Sequence, residues 1–345
     1  MQTLLISSQP PVRRAAYSDR TACIMAELSR LVYERLPAED YTESLIKAIK
    51  DAVKHNCLEK EVRKIAEQFI TSSISPNQLS NKLKEAKCEL VDSFAESGTD
   101  GMVVAFHPQE HFKGMLVIVF RGTERKSEDV IINLKAQLFP APGGGCAHKG
   151  FLDAYDKVSD RLKSIIAQYS NLPVYITGHS LGGALAMIAT RYLQSDQIGA
   201  TYTYGCPRVA DDEFYKAIKS PVYRIVNASD AVARLPFGFT FNILLTLIRL
   251  IPVNGTKVIS EWLRRKFSGY THFGCLVFIN DTHCSPSANS ESDSLTVKHS
   301  PDIFWRIAVV IRRIIKNGFK ITGYDHRIKA YSKKLLRYAE MRNRQ

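Results

Sequence analysis

The chain has 345 residues, 45% of them hydrophobic, which is enough for one large domain or two small ones. Its formal net charge of +13 indicates an acidic partner, but no zinc-finger spacing or aromatic-basic signature accompanies the charge, so we expect no nucleic-acid binding. The seven cysteines are scattered and odd in number, which argues against a disulfide framework or a metal cluster and favours reduced thiols.

The N-terminal stretch "MQTLLISSQPPVRR" has no basic segment ahead of an apolar one, so we predict no signal peptide. No apolar run reaches the roughly 18 uncharged residues of a membrane-spanning helix. The closest, 237–253, is interrupted by Arg249. We therefore expect a cytoplasmic or peripheral membrane protein, with signal-less secretion as an alternative.

Apolar residues recur at helical spacing through residues 18–90, with a break at "SSISPN", 72–77. From about residue 101 the pattern changes, and "GMVVAF" and "MLVIVF" predict adjacent strands. A helical stripe in "FLDAYDKVSDRLKSIIAQY" then alternates with the apolar strands "PVYIT", "ATYTYG", "VYRIVN" and "YTHFGCLVFIN". This alternation predicts an α/β fold in which helices flank a mostly parallel central sheet. The predicted boundaries are a helical N-terminal extension, 1–100, and an α/β domain, 101–345.

The segment "VYITGHSLGGALA" places Ser180 between a predicted strand, which ends at Thr177, and a predicted helix. A nucleophile on such a turn needs a strained backbone and very small residues two positions away, which are here Gly178 and Gly182. The alternative is an ordinary strand-to-helix turn. We predict that Ser180 is a nucleophile, and we interpret the adjacent His179 as a turn residue.

Ester hydrolysis passes through an oxyanion, which two preorganised N–H donors must face. One predicted donor is the backbone N–H of Leu181, directly after the nucleophile. The other is Thr123, which follows the strand "MLVIVF" after the tight bend that Gly122 permits. The alternative for this second segment is an ordinary exit from a strand.

The segments "VFRGTE", "HKGFLDAY", "ITGHSLGGALA", "YTYGCPRVAD" and "VYRIVNASDAVARLP" occur in this order, and together they resemble the class 3 lipase family of α/β-hydrolases. The resemblance covers roughly residues 101–236 and 268–335, and "YSDRTACIMAELSRLVY" is similar to the family's N-terminal helix. It implies a hydrolase of lipid esters with a Ser–Asp–His triad in that chain order. It also implies a mobile lid between the first oxyanion donor and "HKGF".

A serine nucleophile needs a histidine to accept its proton and a carboxylate to hold that imidazole. Asp230 lies in the loop after the strand "VYRIVN", where the family carries its aspartate, whereas Asp211 and Asp212 are better suited to capping a helix. Four histidines follow Asp230 in the chain: His272, His283, His299 and His326. We predict that His326 is the base, since it precedes a helical run as the family's histidine does. The alternative is a solvated loop histidine.

Several segments depart from the family, and the helical region 37–100 departs most; it could brace the hydrolase core or bind a partner. Residues 127–139 fall where the lid belongs, but Val130 stands where many relatives have tryptophan, so a fixed helix is the alternative. Insertions are predicted at about 237–267 and 284–320. The helical pattern of 303–320 groups five cations in one arc of an otherwise apolar helix: Arg306, Arg312, Arg313, Lys316 and Lys320. This pattern favours an interfacial helix drawn to an anionic membrane surface. A core helix with a basic solvent face is the alternative.

The sequence thus predicts a serine hydrolase of lipid carboxylic esters, similar to triacylglycerol and diacylglycerol lipases, with Ser180, Asp230 and His326 as its triad. This chemistry requires no metal and no organic cofactor. A phospholipase A or a lipid acyltransferase acting at anionic membranes is the alternative within enzymes. A non-catalytic membrane-binding protein on a hydrolase scaffold is the alternative outside them.

Overall fold

A computed structural model of the chain describes residues 16–33, 79, 81, 83, 84, 86–96, 99–109, 112–122, 138–193, 196–235, 269–281 and 295–343. Several predictions from the sequence lie outside these described residues: the helices of 37–78, Thr123, most of the lid segment 127–139, the insertion at about 237–267, and His283.

The described helices are α1 (Asp19–Leu31), α2 (Lys149–Gln168), α3 (Leu181–Tyr192), α4 (Asp212–Tyr215), α5 (Ile303–Asn317), α6 (Lys320–His326) and α7 (Ile328–Asn343). The described strands are β1 (Cys88–Glu96), β2 (Thr99–Phe106), β3 (Met115–Phe120), β4 (Leu138–Pro140), β5 (Cys146–His148), β6 (Val174–His179), β7 (Ile198–Tyr204), β8 (Val222–Asn227), β9 (Cys275–Asp281) and β10 (Leu295–His299). A short 3₁₀ helix, Val232–Arg234, follows β8. Within these ranges, none of the helices has both the length and the apolarity needed to cross a bilayer.

Eight of these strands form one sheet in the order β1-β2-β3-β6-β7-β8-β9-β10. Neighbouring strands from β3 to β9 run parallel, and the pairs at the two margins are antiparallel. This topology, in which helices follow strands and cover the sheet, confirms the predicted α/β class with a mostly parallel sheet.

Helices cover both faces of the sheet, because successive residues of a strand point to opposite sides. Along β2, Val103 packs in the cluster that contains α2 and α3, whereas its neighbour Val104 packs in the cluster that contains α1 and α7. A smaller cluster joins Phe278 of β9 to Trp305 of α5. The central strands, such as β3 and β6, are therefore buried on both faces, which explains their nearly continuous apolar runs.

The predicted boundary at residue 100 is wrong, because β1 lies within the segment assigned to the helical extension and pairs with β2 as part of the sheet. Leu90 belongs to this strand and not to the helix that its spacing predicts. The strand is hard to recognise because it lies at an edge and carries partly exposed polar residues. Two of them, Asp92 and Glu96, form ion pairs with Arg161 of α2.

The carboxyl ends of β6, β7 and β8 meet at one edge of the sheet, as in other parallel sheets. Ser180 follows β6 and Asp230 lies in the loop after β8. Gly205 follows β7 with φ of +57°, and a Cβ atom there would lie 2.5 Å from Asp230 Oδ2. Only glycine therefore leaves room for the Asp230 carboxylate at this edge.

Candidate active site

Ser180 occupies a strained backbone conformation, with φ of 58° and ψ of −124°, between β6 and α3. A Cβ atom on Gly178 would lie 2.3 Å from the carbonyl carbon and oxygen of Gly182. A Cβ atom on Gly182 would lie 2.3 Å from the carbonyl oxygen of Phe120. The two glycines are therefore required by the close approach of the backbone around the serine turn.

The structure brings the side chains of Ser180, His326 and Asp230 together. The hydroxyl of Ser180 lies 2.9 Å from Nε2 of His326, and Nδ1 of His326 lies 3.0 Å from both carboxylate oxygens of Asp230. An ionised carboxylate can only accept hydrogen bonds, so Nδ1 donates to Asp230 and Nε2 is left to accept from the Ser180 hydroxyl. All three residues are buried.

Protein groups surround the carboxylate of Asp230. Its Oδ1 accepts from the backbone N–H of Val232 at 2.9 Å and of Ala233 at 3.3 Å, and its Oδ2 accepts from the hydroxyl of Tyr331 at 2.7 Å. Burial acts to raise the pKa of Asp230, but His326 and the Tyr331 hydroxyl outweigh it and hold the pKa below its usual value. Asp230 therefore remains an anion that can orient His326.

His179 contacts the predicted base, which the sequence analysis did not foresee. Its ring lies 4.7 Å from that of His326, and its Nε2 donates to the carbonyl oxygen of His326 at 2.6 Å. The hydroxyl of Tyr33 lies 3.0 Å from Nδ1. Burial, together with nearby His326, lowers the pKa of His179 to about 3. His179 is therefore neutral and holds the backbone of His326 in place, a role that depends on residues remote in the chain.

A second buried network anchors Asp325, the residue before His326. Arg313 of α5 donates through Nη2 to both carboxylate oxygens of Asp325 at 2.9 Å. The backbone N–H of Ser229 donates to the same carboxylate at 3.0 Å, and Lys334 of α7 lies 3.4 Å from it. Arg313 was predicted to lie on a basic outer arc of the helix. This is wrong, because Asp325 draws Arg313 into the interior.

Of the two predicted oxyanion donors, only Leu181 lies within the described residues. Leu181 is the first residue of α3, and the first N–H groups of a helix have no acceptor within it. A Cβ atom on Gly122 would lie 2.6 Å from the carbonyl oxygen of His179 and 3.4 Å from Cβ of Ser180, so the chain leaves β3 beside the serine. Thr123 is the next residue and lies outside the described residues. Its role as a donor stays a prediction.

The other candidate residues make their contacts elsewhere. Nε2 of His272 lies 2.9 Å from the carbonyl oxygen of Ala233, and burial lowers the pKa of His272 well below its ordinary value. The ring of His299, at the end of β10, packs against Tyr17. Asp211 caps α4 by accepting from the backbone N–H of Phe214 at 2.8 Å.

The strand order, with a serine on a strained turn between the strand β6 and the helix α3, defines an α/β-hydrolase fold. Residues 117–240 match the family model described as Lipase (class 3). The likeness to the class 3 lipase family therefore covers this central part of the chain.

Three curated relatives show the extent of the similarity. The chain is 37% identical over 146 residues to a lipase of Rhizomucor miehei, a match that covers 36% of this chain and 39% of that protein. It is 40% identical over 108 residues to secreted mono- and diacylglycerol lipase 1 of Fusarium solani, covering 28% of this chain and 32% of that protein. It is 31% identical over 162 residues to phospholipase A1-Igamma1, chloroplastic, of Arabidopsis thaliana, covering 35% of this chain and 31% of that protein.

The matched part of the chain thus spans less than two fifths of the length of these curated relatives. Among solved structures, the chain is similar to the native Rhizomucor miehei lipase propeptide complex. The TM-score is 0.44, with 24% sequence identity, over 63% of this chain and 62% of that one.

Proposed function

We propose that the protein hydrolyses carboxylic esters of lipids, with Ser180 as nucleophile, His326 as general base and acid, and Asp230 as the group that orients His326. The observation that carries this proposal is the continuous chain of hydrogen bonds from the Ser180 hydroxyl through the imidazole to the buried carboxylate. This arrangement of hydrogen bonds matches the one that acyl transfer by an activated serine requires.

In the first half of the reaction, Oγ of Ser180 forms a bond to the ester carbonyl carbon while Nε2 of His326 takes the hydroxyl proton. The carbonyl oxygen gains the negative charge, which the N–H groups of Leu181 and Thr123 would stabilise. The C–O bond to the alcohol then breaks, and His326 gives its proton to the leaving oxygen.

In the second half, His326 takes a proton from water and the resulting hydroxide attacks the acyl-enzyme. The bond between the acyl carbon and Oγ of Ser180 then breaks, Oγ takes the proton from His326, and the fatty acid leaves. Asp230 stays ionised throughout, and its negative charge stabilises the imidazolium that forms next to it.

We propose acylglycerols as the substrate class. One relative supports this choice by name, the Fusarium mono- and diacylglycerol lipase, and the Rhizomucor relative is named a lipase. Such substrates lie at lipid surfaces, so a protein that acts on them needs a face that can approach a lipid–water boundary.

Helix α5 supplies a candidate for that face. We call its exposed apolar residues, together with Phe319 just beyond it, the α5 stripe: Ile303, Phe304, Ile307, Ile311, Ile315 and Phe319. Phe304 is 80% exposed and Ile315 is 79% exposed, which is unusual for side chains of this size. Exposed Arg312 and Lys316 lie beside them. This arrangement supports peripheral contact with an anionic membrane, with the stripe at the acyl chains and the cations at the headgroups.

Phospholipase A or acyltransferase activity is the second candidate, and the same cations beside the stripe favour it. The Arabidopsis relative, named as a phospholipase A1, is consistent with it. Incubation with vesicles of mixed acylglycerols and phospholipids, with and without an added alcohol, separates the options by their products. Free fatty acid from acylglycerol supports the first proposal, fatty acid and lysophospholipid the second, and a new ester indicates acyl transfer.

Labelling with a fluorophosphonate tests the nucleophile directly. We expect the wild-type protein to be labelled and Ser180→Ala to remain unlabelled, because only an activated serine attacks the reagent. Ser159→Ala is the matched control, since Ser159 is also buried but lies on α2. Equal labelling of wild type and Ser180→Ala contradicts the assignment.

A further inference from the structure

A cavity of about 370 Å³ lies between the sheet and helix α5. Its walls include Arg224 on β8, Phe278 on β9, and Arg306 and Ile307 on α5. The turn after β7 and the loop after β8 add further basic side chains. The polar and charged groups that line the cavity are Arg208, Arg224, Arg234, Arg306 and His272.

Two arginines of this cavity, Arg224 and Arg306, lack the carboxylate partners that Arg161 and Arg313 have among the described residues. No Asp or Glu is among the described residues that line the cavity. Nε of Arg224 and Nε of Arg306 are buried and form no hydrogen bond with any described residue. Arg313, seven residues further along α5, instead donates to the carboxylate of Asp325. A buried guanidinium nitrogen without an acceptor is costly, so these two nitrogens point to a ligand that supplies one.

The charges of the cavity also act on one another. Burial, and the charges of Arg208 and Arg306, lower the pKa of Arg224 to about 10. Burial, and the charge of Arg234, lower the pKa of Arg208 to about 10. Both groups keep their charge at neutral pH, and a bound anion would relieve their mutual repulsion.

The cavity meets the α5 stripe. Ile303, Ile307 and Ile311 line the cavity and are also exposed members of the stripe. The ligand therefore has a negatively charged part that fits among guanidinium groups and an apolar part that continues along the outer face of α5. A free phosphate ion has only the first of these parts, whereas an anionic lipid has both.

We propose that this cavity binds the phosphate headgroup of an anionic membrane lipid while the α5 stripe contacts the acyl region of the same bilayer. Guanidinium forks match phosphate oxygens in geometry and charge, and Arg224 and Arg306 have the free nitrogens to do so. The inference rests on the membrane contact proposed above but not on the catalytic residues.

Vesicle binding of full-length protein tests the inference, and the Ser180→Ala background is used so that no lipid is consumed. The probe is a series of phosphatidylcholine vesicles with increasing phosphatidic acid, read by co-sedimentation. We expect Arg306→Gln and Arg224→Gln to weaken binding to the phosphatidic acid vesicles about tenfold to a hundredfold, because each loses charge-assisted hydrogen bonds. Arg306→Lys, which keeps the charge and loses the fork, should give an intermediate loss.

Arg312→Gln is the matched control, because Arg312 lies on the same helix, is exposed and does not line the cavity. We expect a loss of about fivefold or less, as for one cation near an anionic surface. Equal losses in Arg306→Gln and Arg312→Gln overturn the site in favour of diffuse attraction. Thermal melting verifies folding, and if Arg224→Gln is unfolded, the Arg306 variants carry the test.

Two further measurements distinguish other occupants. If inorganic phosphate or glycerol phosphate raises the melting temperature of the parent protein, but Arg306→Gln binds vesicles as the parent does, the ligand is a soluble phosphate and the lipid proposal fails. If sedimentation velocity shows a dimer that α5 substitutions dissociate, a second copy covers the stripe and the proposal also fails. Because binding is read in Ser180→Ala, its result is separate from that of the fluorophosphonate experiment.

Discussion

The cluster of Ser180, Asp230 and His326 and the arginine cavity share the segment after β8, which supplies Asp230 to the first and Arg234 to the second, yet they satisfy their polar groups in opposite ways. In the cluster, the Asp230 carboxylate accepts from His326, from Tyr331 and from two backbone N–H groups. In the cavity, Nε of Arg224 and of Arg306 has no such partner among the described residues. Groups with internal partners are preorganised for proton transfer within the protein, whereas unsatisfied groups indicate a ligand from outside.

The largest effect on ester turnover is expected for Asp230→Asn. An amide in place of the carboxylate favours the wrong tautomer of His326 and does not stabilise its imidazolium. We expect ester turnover to fall by about 10⁴-fold, as when the equivalent group of a serine protease is changed. Assays on a short-chain ester measure this, with the exposed Asp212→Asn as control. Turnover within tenfold of wild type would show that Asp230 does not orient the base.

Arg313→Met should test whether internal pairing also secures the segment that carries the base. The substitution leaves the Asp325 carboxylate buried with one cation fewer, and breaking such a pair costs about 3–5 kcal/mol of unfolding free energy. Urea unfolding of Arg313→Met measures this cost. The double variant Arg313→Met/Asp325→Asn should recover part of it, because the stranded charge is removed. A loss no larger than that of Lys149→Met, which breaks the exposed pair with Asp153, would contradict this view.

The double variant Phe304→Ser/Ile315→Ser tests whether the exposed apolar residues of the α5 stripe contact lipid. Each apolar side chain contributes about 1.5–3 kcal/mol when it leaves water, so we expect binding to neutral phosphatidylcholine vesicles to fall at least tenfold. Thermal stability should stay close to that of wild type, because both side chains are exposed in the free protein. Arg312→Gln is the control and should not alter binding to neutral vesicles. Unchanged binding in the double variant would exclude the α5 stripe as the lipid-contacting surface.

Near neutral pH, the smallest effect is expected for the stability of His179→Gln, which differs from wild type only as the pH falls. The pKa of His179 is about 3 in the folded protein, below its ordinary value of 6.5, so the unfolded chain binds the extra proton between these values. Stability from this group is complete above about pH 6.5 and declines as the pH falls towards 3. The melting temperature of His179→Gln should therefore fall less steeply with acidification than that of wild type.

His107→Gln is the matched control, because it removes an exposed histidine from an ion pair with Glu89. If His107→Gln flattens the profile as much as His179→Gln does, the acid sensitivity does not arise from the buried ring.

Local patterns were sufficient to predict the strands that position Ser180 and Asp230. β7 and β8 were predicted within one or two residues of their observed bounds, since both are buried on two faces and read as continuous apolar runs. The structure places Ser180, Asp230 and His326 within hydrogen-bonding distance, as the order of strand ends and the family resemblance predicted. The serine turn could be predicted because its close backbone contacts require glycine at Gly178 and Gly182.

The orientation of α5 and the role of His179 could not be predicted, because both depend on long-range contacts. Helical spacing placed Arg306 and Arg313 on one arc with Arg312 but gave no sign of which side the protein would bury. The choice was made by Asp325, which draws Arg313 inward and turns the apolar residues of α5 outward. The contact of His179 with the backbone of His326 was hidden for the same reason, since it joins residues 147 positions apart.

The ion pair between Arg313 and Asp325 has a mechanical consequence. Arg313 belongs to the helix proposed to rest on lipid, and Asp325 directly precedes His326. The height of the Ser180 hydroxyl above the bilayer surface is therefore fixed by the fold. An acyl ester would have to rise to that height, which would favour lipids that protrude easily from the leaflet over those packed firmly within it.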